Sequence, residues 1–167
     1  MQFSRQPLHL SSFVANLRYM QRAQNLSNMR TEKLGISILR DLEPRFRTVN
    51  AGERAALFTV LGISPKKYQR SIDGVILKVE SINEVESHAD LLLVEIKTTK
   101  SKKVTELPYG VFFGITENEE DLFKSLPNYR LCIVHTGLRK HVLLTFPEYQ
   151  KMIHSKRVQF QVNFKSK

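Results

Sequence analysis

The sequence predicts an α/β (α+β) protein in which helices flank a mixed β-sheet, with further helices before the sheet. Three patterns support this prediction. Before residue 65, apolar residues recur every three or four positions, which is typical of amphipathic helices. Between residues 73 and 135, short apolar segments are bounded by turn-forming residues, as buried strands are. After residue 157, apolar and polar residues alternate strictly, which indicates a half-buried strand.

Three helices are predicted in the N-terminal part of the chain, at residues 8–28, 31–42 and 52–61. The second is expected to end before Pro44, because the residue that precedes a proline disfavours the helical conformation. The third is expected to end at Gly62, a residue type common just after helices. These helices form a predicted N-terminal region, residues 1–65, that packs on a core made by residues 66–167. One compact domain is expected at this length.

The sheet is expected to begin with two strands, at residues 73–77 and 91–97, that pair as antiparallel neighbours. A third strand is predicted at residues 111–115. Thr116 and Glu119 then match the S/T-x-x-E capping box, which predicts a helix that runs from there to about residue 126. The remaining predicted elements are strands at residues 129–135, 142–144 and 158–164, and a short helix that begins at residues 145–148.

The chain is strongly basic, with 26 Lys and Arg against 16 Asp and Glu and a net charge of +10. Such an excess is typical of proteins with a phosphate-bearing partner, and nucleic acid is the leading candidate. A generally basic surface and attraction to an anionic membrane are the alternatives. No apolar stretch approaches the roughly 18 residues of a membrane span, and the N-terminus has no signal-peptide core. A soluble, cytoplasmic protein without membrane association is therefore expected.

Several kinds of site find no support in the sequence. The single cysteine, Cys132, lies in an apolar segment and is expected to be buried as a small hydrophobic residue. The five histidines lack the spacing of a zinc site, and His135 is expected to be a satisfied strand-end residue, with a phosphate contact as the alternative. Glycine-rich phosphate loops and G-x-S-x-G segments are absent, which argues against NTPases and acyl hydrolases.

Two acids and a lysine are expected to converge where the first two strands meet. Glu95 and Lys97 are two residues apart, so their side chains point to the same face of a strand. The Asp73 carboxylate reaches the same point if the two strands pair antiparallel. Asp90 is a competing acid, but it is expected to cap the start of the second strand. Two carboxylates and a substrate phosphate suffice for Mg²⁺, and a lysine there can orient or deprotonate a metal-bound water or stabilise the phosphate. The alternative is an ordinary Glu95–Lys97 ion pair on a solvated strand face.

The segments at residues 72–76 and 92–99 resemble the PD-(D/E)xK nuclease superfamily, with Asp73 as its first acid and Glu95 and Lys97 as its E-x-K element. The proline in the motif's name is absent, because an isoleucine precedes the first acid. The resemblance implies a restriction-endonuclease-like αβββαβ core. It also implies a metal-dependent endonuclease that hydrolyses DNA phosphodiester bonds, of the restriction or repair type.

The resemblance covers about residues 70–136, and residues 94–134 are similar to the C-terminal domain of NO VEIN-like proteins, which shares the nuclease-like fold. It implies Mg²⁺, with Mn²⁺ as a substitute, on the two acids. A homodimer is expected, because each active site of a double-strand cutter handles one strand. Many members of the superfamily place a further acid on the helix before the strands. Glu32 and Glu53 are the candidates for that acid here, and a solvated helix-surface acid is the alternative for each.

Two basic clusters adjoin the predicted site in the sequence and are expected to hold the phosphates of a nucleic acid. An aromatic residue in the first cluster is expected to stack on a base, and a solvated loop is the alternative. A nuclease-like fold can also hold DNA, RNA or a partner protein without cutting, so a non-catalytic binding module is the second hypothesis. The clusters are Lys66, Lys67, Tyr68 and Arg70, and Lys100, Lys102 and Lys103.

Overall fold

The computed structural model describes residues 29–158. The predicted helix at residues 8–28 lies outside this range, as does the predicted strand at residues 158–164 beyond its first residue. The helices are α1 at residues 29–42, α2 Ala51–Val60, α3 Pro65–Tyr68, α4 Glu117–Ser125 and α5 Phe146–Met152. The strands are β1 Phe46–Thr48, β2 Gly74–Leu77, β3 Leu91–Thr99, β4 Tyr129–His135 and β5 Lys140–Leu144.

The five strands form one mixed sheet in the order β1-β2-β3-β4-β5. Strand β2 is antiparallel to both β1 and β3, and β5 is antiparallel to β4. Strands β3 and β4 are parallel, and the chain between them contains α4 as the crossover helix. Helices flank this sheet, so the predicted α+β class with a mixed sheet is confirmed.

Both faces of the sheet are buried. Leu93 of β3 points to the face that carries α2 and α4, where it belongs to the same apolar core as Phe58 and Phe123. Its neighbour Val94 points to the other face, where it packs in the core that contains Leu39 of α1. We call these the α4 face and the α1 face. Because both are covered, β3 begins as a continuous apolar run rather than an alternating one.

Two glycines allow backbones to approach closely at the sheet. A Cβ on Gly35 of α1 would lie 2.4 Å from Thr98 Cγ2 of β3, so α1 packs directly against that strand. A Cβ on Gly74 of β2 would lie 2.5 Å from the carbonyl oxygen of Arg47 and 2.6 Å from the ring of Phe46. A side chain at either position requires a shift of the neighbouring element.

The predicted strand at residues 111–115 is wrong, because in the described part of the chain this segment pairs with no strand. Val111 and Phe113 nevertheless pack on the core from a loop. Their alternating pattern therefore reflects burial of one side of the segment and not a β-ladder. The sequence also failed to predict β1, a three-residue strand in which Phe46 is the single apolar residue.

The other expected elements within residues 29–158 are confirmed to within a few residues at their ends. The predicted antiparallel pairing of the first two strands is confirmed by the β2–β3 register. Thr116 and Glu119 form the predicted capping box, in which each side chain accepts a hydrogen bond from the other's backbone N–H. The proposed division at residue 65 stays a prediction, although β1 lies before it and pairs with β2.

Candidate functional site

Strand β3 carries the candidate site on its α4 face. Its side chains alternate, so Glu95 and Lys97 share the face of Leu93, while Ile96 and Thr98 point towards α1. Glu95 is only 5% exposed. The site is therefore a pair of polar residues that continues a buried apolar strand, and the alternative of a solvated surface ion pair is wrong.

Asp73 lies immediately before β2, opposite Glu95. The register pairs Gly74 with Val94, which places Asp73 and Glu95 as cross-strand neighbours on the same face. The backbone N–H of Asp73 donates to the carbonyl oxygen of Val94 at 2.9 Å, and its Oδ2 accepts from the N–H of Ile96 at 2.7 Å. These two hydrogen bonds fix the carboxylate against β3, as the antiparallel pairing predicted.

A further contact anchors the chain just before Asp73. The hydroxyl of Tyr129, at the start of β4, donates to the carbonyl oxygen of the buried Ser71 at 2.7 Å. Asp73 is thus attached to β3 through its own backbone and to β4 through the segment before it.

Lys97 is held between two carboxylates. Its Nζ donates to Glu95 Oε1 at 2.8 Å and to Glu119 Oε2 at 3.2 Å. The same Glu119 oxygen accepts from the backbone N–H of Thr116 at 2.7 Å as part of the capping box. Glu119 is 6% exposed, so α4 contributes a second buried carboxylate to the site, in addition to Glu95 and the half-buried Asp73.

Sequence reasoning identified Glu119 as a helix cap but missed its place in the site. The capping-box pattern is local and says nothing about which strand the helix end packs on. The position of the capping box in the sequence could have placed Glu119 in the site. A helix that connects parallel β3 and β4 begins near the C-terminal end of β3.

One oxygen of the site has no hydrogen-bond partner within the described part of the chain. This is the buried Oε2 of Glu95, whereas Oε1 contacts Lys97. An unsatisfied buried carboxylate oxygen is costly, and a cation or a proton at that position removes the cost. The chemistry of this oxygen, with the cross-strand carboxylate of Asp73 beside it, fits a small site for a hard divalent cation.

Burial raises the pKa of both strand acids. Burial, followed by the nearby Asp73 carboxylate, raises the pKa of Glu95 from an ordinary 4.5 to about 9, although Lys97 opposes the shift. Burial also raises the pKa of Asp73, against the hydrogen bond from the Ile96 N–H. Burial alone lowers the pKa of Lys97, but its two carboxylate partners outweigh that effect and the net pKa is raised. Lys97 is therefore a stable cation at neutral pH.

The two candidates for a further acid lie in different surroundings. Glu32 of α1 is exposed and is close enough to raise the pKa of Asp73 by charge repulsion. Glu53 of α2 forms an ion pair with Arg47 at 2.5 Å and accepts from the backbone N–H of Asn50 in a capping box. Glu32 is thus near the site, and Glu53 stabilises the start of α2. Among residues 29–158, no group of three or more His, Cys, Asp or Glu is arranged to hold a metal ion.

The first basic cluster is partly engaged within the protein. Lys67 Nζ lies 2.6 Å from Asp121 Oδ2 and 4.5 Å from the centre of the Tyr68 ring. The Tyr68 hydroxyl also donates to Asp121 at 2.5 Å, and its ring packs against the core. Lys66 and Arg70 remain exposed beside a cleft of about 420 Å³ between α2 and α3. These two cations, rather than the aromatic ring, are the available part of the cluster.

The second basic cluster, Lys100, Lys102 and Lys103, is exposed on the segment that follows β3. None of its three lysines pairs with an acid in the part of the chain that the structure describes. It begins three residues after Lys97, so its charges lie at the end of the strand that carries the site.

Three minor expectations are confirmed. His135 is buried at the end of β4, where its ring contacts the carbonyl oxygen of Ser101 at 3.1 Å and accepts from the N–H of Leu138. Asp90 accepts hydrogen bonds from Ser87 in the turn before β3 and takes no part in the site. Cys132 is buried and unbonded, and burial raises the pKa of its thiol.

No helix among residues 29–158 has both the length and the apolarity needed to cross a membrane. No family model, curated protein or solved structure gives a significant match to this chain.

Proposed function

We propose that this protein is a metal-dependent endonuclease that hydrolyses DNA phosphodiester bonds in the manner of the PD-(D/E)xK superfamily. One observation carries the proposal. Asp73 and Glu95 are cross-strand neighbours on one face of the sheet, and Lys97 contacts the Glu95 carboxylate at 2.8 Å. Among residues 29–158, the buried second oxygen of that carboxylate has no hydrogen-bond partner.

The order of elements also supports the proposal. A helix, three strands, a helix and a strand follow one another as α1, β1, β2, β3, α4 and β4, if α2 and α3 are taken as an insertion between β1 and β2. This is the αβββαβ order that the resemblance implies. Glu95 then lies on the third strand of that core, and Asp73 immediately precedes the second.

Each residue of the site has a defined task in the proposed reaction. Asp73 and Glu95 would hold the cation, Mg²⁺ or Mn²⁺, which when bound activates a water and offsets charge on the phosphate. We assign Lys97, whose Nζ lies 2.8 Å from Glu95 Oε1, the stabilisation of a phosphate oxygen, with orientation or deprotonation of the water as the alternative. Glu119 holds the Nζ of Lys97 in place at 3.2 Å.

Incubation of the purified chain with supercoiled plasmid and Mg²⁺ tests the proposal. The wild type should nick or linearise the plasmid, and EDTA should stop the reaction. Glu95→Ala and Lys97→Ala should each cut about 100-fold more slowly or worse. Glu84→Ala and Lys78→Ala are the matched controls, because both residues are exposed and outside the site. If the site variants cut as fast as these controls, the assignment is wrong.

The second candidate is a module that binds nucleic acid without cutting it. The observation in its favour is that Lys97 already contacts Glu95 at 2.8 Å and Glu119 at 3.2 Å, so a metal ion must compete with an internal cation. Under this hypothesis the chain binds DNA equally well in Mg²⁺ and in EDTA, and no cleavage accompanies binding.

The proposal includes DNA as partner, a homodimer as the working unit and the cytoplasm as the location. Cutting both strands of a duplex is simplest with two sites related by a twofold axis. Sedimentation of the chain with and without a duplex tests the dimer. A monomer under both conditions would remove the basis for symmetric double-strand cutting.

A further inference from the structure

The segment between β3 and α4, residues 100–116, carries the most exposed large apolar side chain among residues 29–158. Phe112 is 92% exposed, and Tyr109 on the same segment is 59% exposed. A large apolar side chain held in water gains nothing from the fold, and such exposure is typical of a contact surface.

The exposure of Phe112 is imposed by its neighbours. Val111 and Phe113, on either side, both pack against the apolar core. The segment is anchored further back by Val104, which is 3% exposed and whose N–H donates to the carbonyl oxygen of Ser101 at 3.0 Å. Since its neighbours point inwards, Phe112 is presented outwards from an anchored stretch of chain. Little ordering is then required on binding.

Both ends of this segment adjoin the candidate site. It begins directly after β3, which carries Lys97, and it ends at Thr116, whose N–H donates to Glu119. Thr116 lies four residues after Phe112, so the two Cα atoms are at most about 14 Å apart. The Phe112 ring therefore lies within the length of a few nucleotides of the carboxylates in the candidate site.

The positive charge of the segment indicates which class of molecule binds to it. The second basic cluster, Lys100, Lys102 and Lys103, lies on the same segment, exposed and without an acidic partner in the described part of the chain. Cations that follow a phosphate backbone, together with an exposed aromatic ring, are the combination that binds unpaired nucleotides. A partner protein of apolar character would leave these lysines without a counter-charge.

We propose that Phe112 stacks on an unpaired base of the DNA strand whose phosphate lies at Asp73 and Glu95. This inference rests on the proposed function and specifies its substrate, a strand with at least one unpaired base beside the cleavage point. Tyr109 provides a second ring on the same segment.

Tryptophan fluorescence tests the proposal directly, because the chain contains no tryptophan. Phe112→Trp introduces a single reporter at a position that is almost fully exposed, so folding should be retained. In EDTA, titration with a single-stranded oligothymidylate should quench its fluorescence, because the base stacks on the indole. An abasic strand with the same number of phosphates should bind through its charge and leave the fluorescence unchanged.

Val60→Trp is the matched control. Val60 is 54% exposed at the end of α2, and the adjacent Leu61 contacts His88, which precedes β3 at the end away from the site. Its fluorescence should respond to neither strand. In addition, Phe112→Ala should weaken binding of the oligothymidylate by about 5- to 150-fold and leave binding of the abasic strand unchanged.

Equal quenching by both strands, binding without quenching, or no binding of either strand overturns the proposal. These results are separable from a failure of the proposed function, because the titration is done without metal. Quenching in a chain that never cuts DNA would retain the stacking role and reject the nuclease. If the Phe112→Trp variant cuts DNA but its fluorescence does not change when DNA is added, the nuclease is retained and the stacking role is rejected.

Discussion

Glu119 of α4 lies 3.2 Å from the Nζ of Lys97 on β3, across 22 residues of sequence. This contact gives the first prediction. Glu119→Gln keeps the capping box, because glutamine also accepts from the N–H of Thr116, but it removes the charge that holds Lys97. Plasmid cleavage should fall about 10- to 100-fold, as expected when a catalytic group is displaced slightly.

The control for this substitution is Glu117→Gln, an exposed acid in the first turn of the same helix. It should cut like the wild type, and both variants should bind DNA in EDTA with unchanged affinity. Cleavage by Glu119→Gln within about twofold of the wild type would remove Glu119 from the site.

The second prediction concerns stability in the absence of metal. The pKa of Glu95 is raised from 4.5 to about 9, so the folded protein keeps a proton that the unfolded chain loses. Stability therefore falls as pH rises between these two values. Glu95→Gln has no proton to lose, so its Tm should match the wild type near pH 4.5 and exceed it by about 5 °C or more at pH 9. Thermal unfolding in EDTA measures this, and a constant difference across pH would contradict it.

The third prediction concerns the effect of metal on that stability. If Asp73 and Glu95 hold Mg²⁺, saturation at about 100 times the dissociation constant stabilises the wild type by about 2.7 kcal/mol. The same Mg²⁺ concentration should leave the Tm of Asp73→Asn and Glu95→Gln almost unchanged. Glu84→Gln should respond like the wild type. An equal increase in Tm for all four proteins would place the metal elsewhere.

The fourth prediction tests the contact between α1 and β3. Alanine is a better helix former than glycine by about 1 kcal/mol, yet a Cβ on Gly35 would lie 2.4 Å from Thr98 Cγ2. Gly35→Ala should therefore destabilise the protein by about 1–3 kcal/mol in urea unfolding. Thr98→Ser removes that methyl group, after which the nearest remaining atom outside residue 98 is Ile96 Cγ2 at 3.7 Å. The double variant should recover at least about 1 kcal/mol, whereas strictly additive effects would disprove the contact.

The fifth prediction concerns the second basic cluster, Lys100, Lys102 and Lys103. Each phosphate contact contributes about 0.9 to the slope of log affinity against log salt for duplex DNA. Replacing all three lysines by Glu should weaken binding on every sequence alike and reduce that slope by up to about 2.7. An unchanged slope would place the DNA on another surface. A matched variant with Lys78, Lys124 and Lys140 replaced by Glu shows how much of the effect comes from net charge alone.

The local elements could be predicted because their signals are local. The capping box at Thr116 and the end of α2 just before Gly62 each depend on a few neighbouring residues. Alternation along a strand also places Glu95 and Lys97 on one face without any knowledge of the rest of the fold. The sequence by itself therefore determined most of the helices and strands and the shared face of Glu95 and Lys97.

The tertiary structure alone decided which of these residues meet and how deeply they are buried. Phe46 and its neighbours become a strand only because β2 offers an edge. Residues 111–115 alternate, but they pair with no strand among residues 29–158. The contact of Glu119 with Lys97 and the unpartnered oxygen of Glu95 depend on how α4 packs against β3. Such contacts join residues far apart in the chain, and their free energy arises only when the packed layers exclude water. A local pattern in the sequence therefore cannot predict which of these residues meet or how far water is excluded from them.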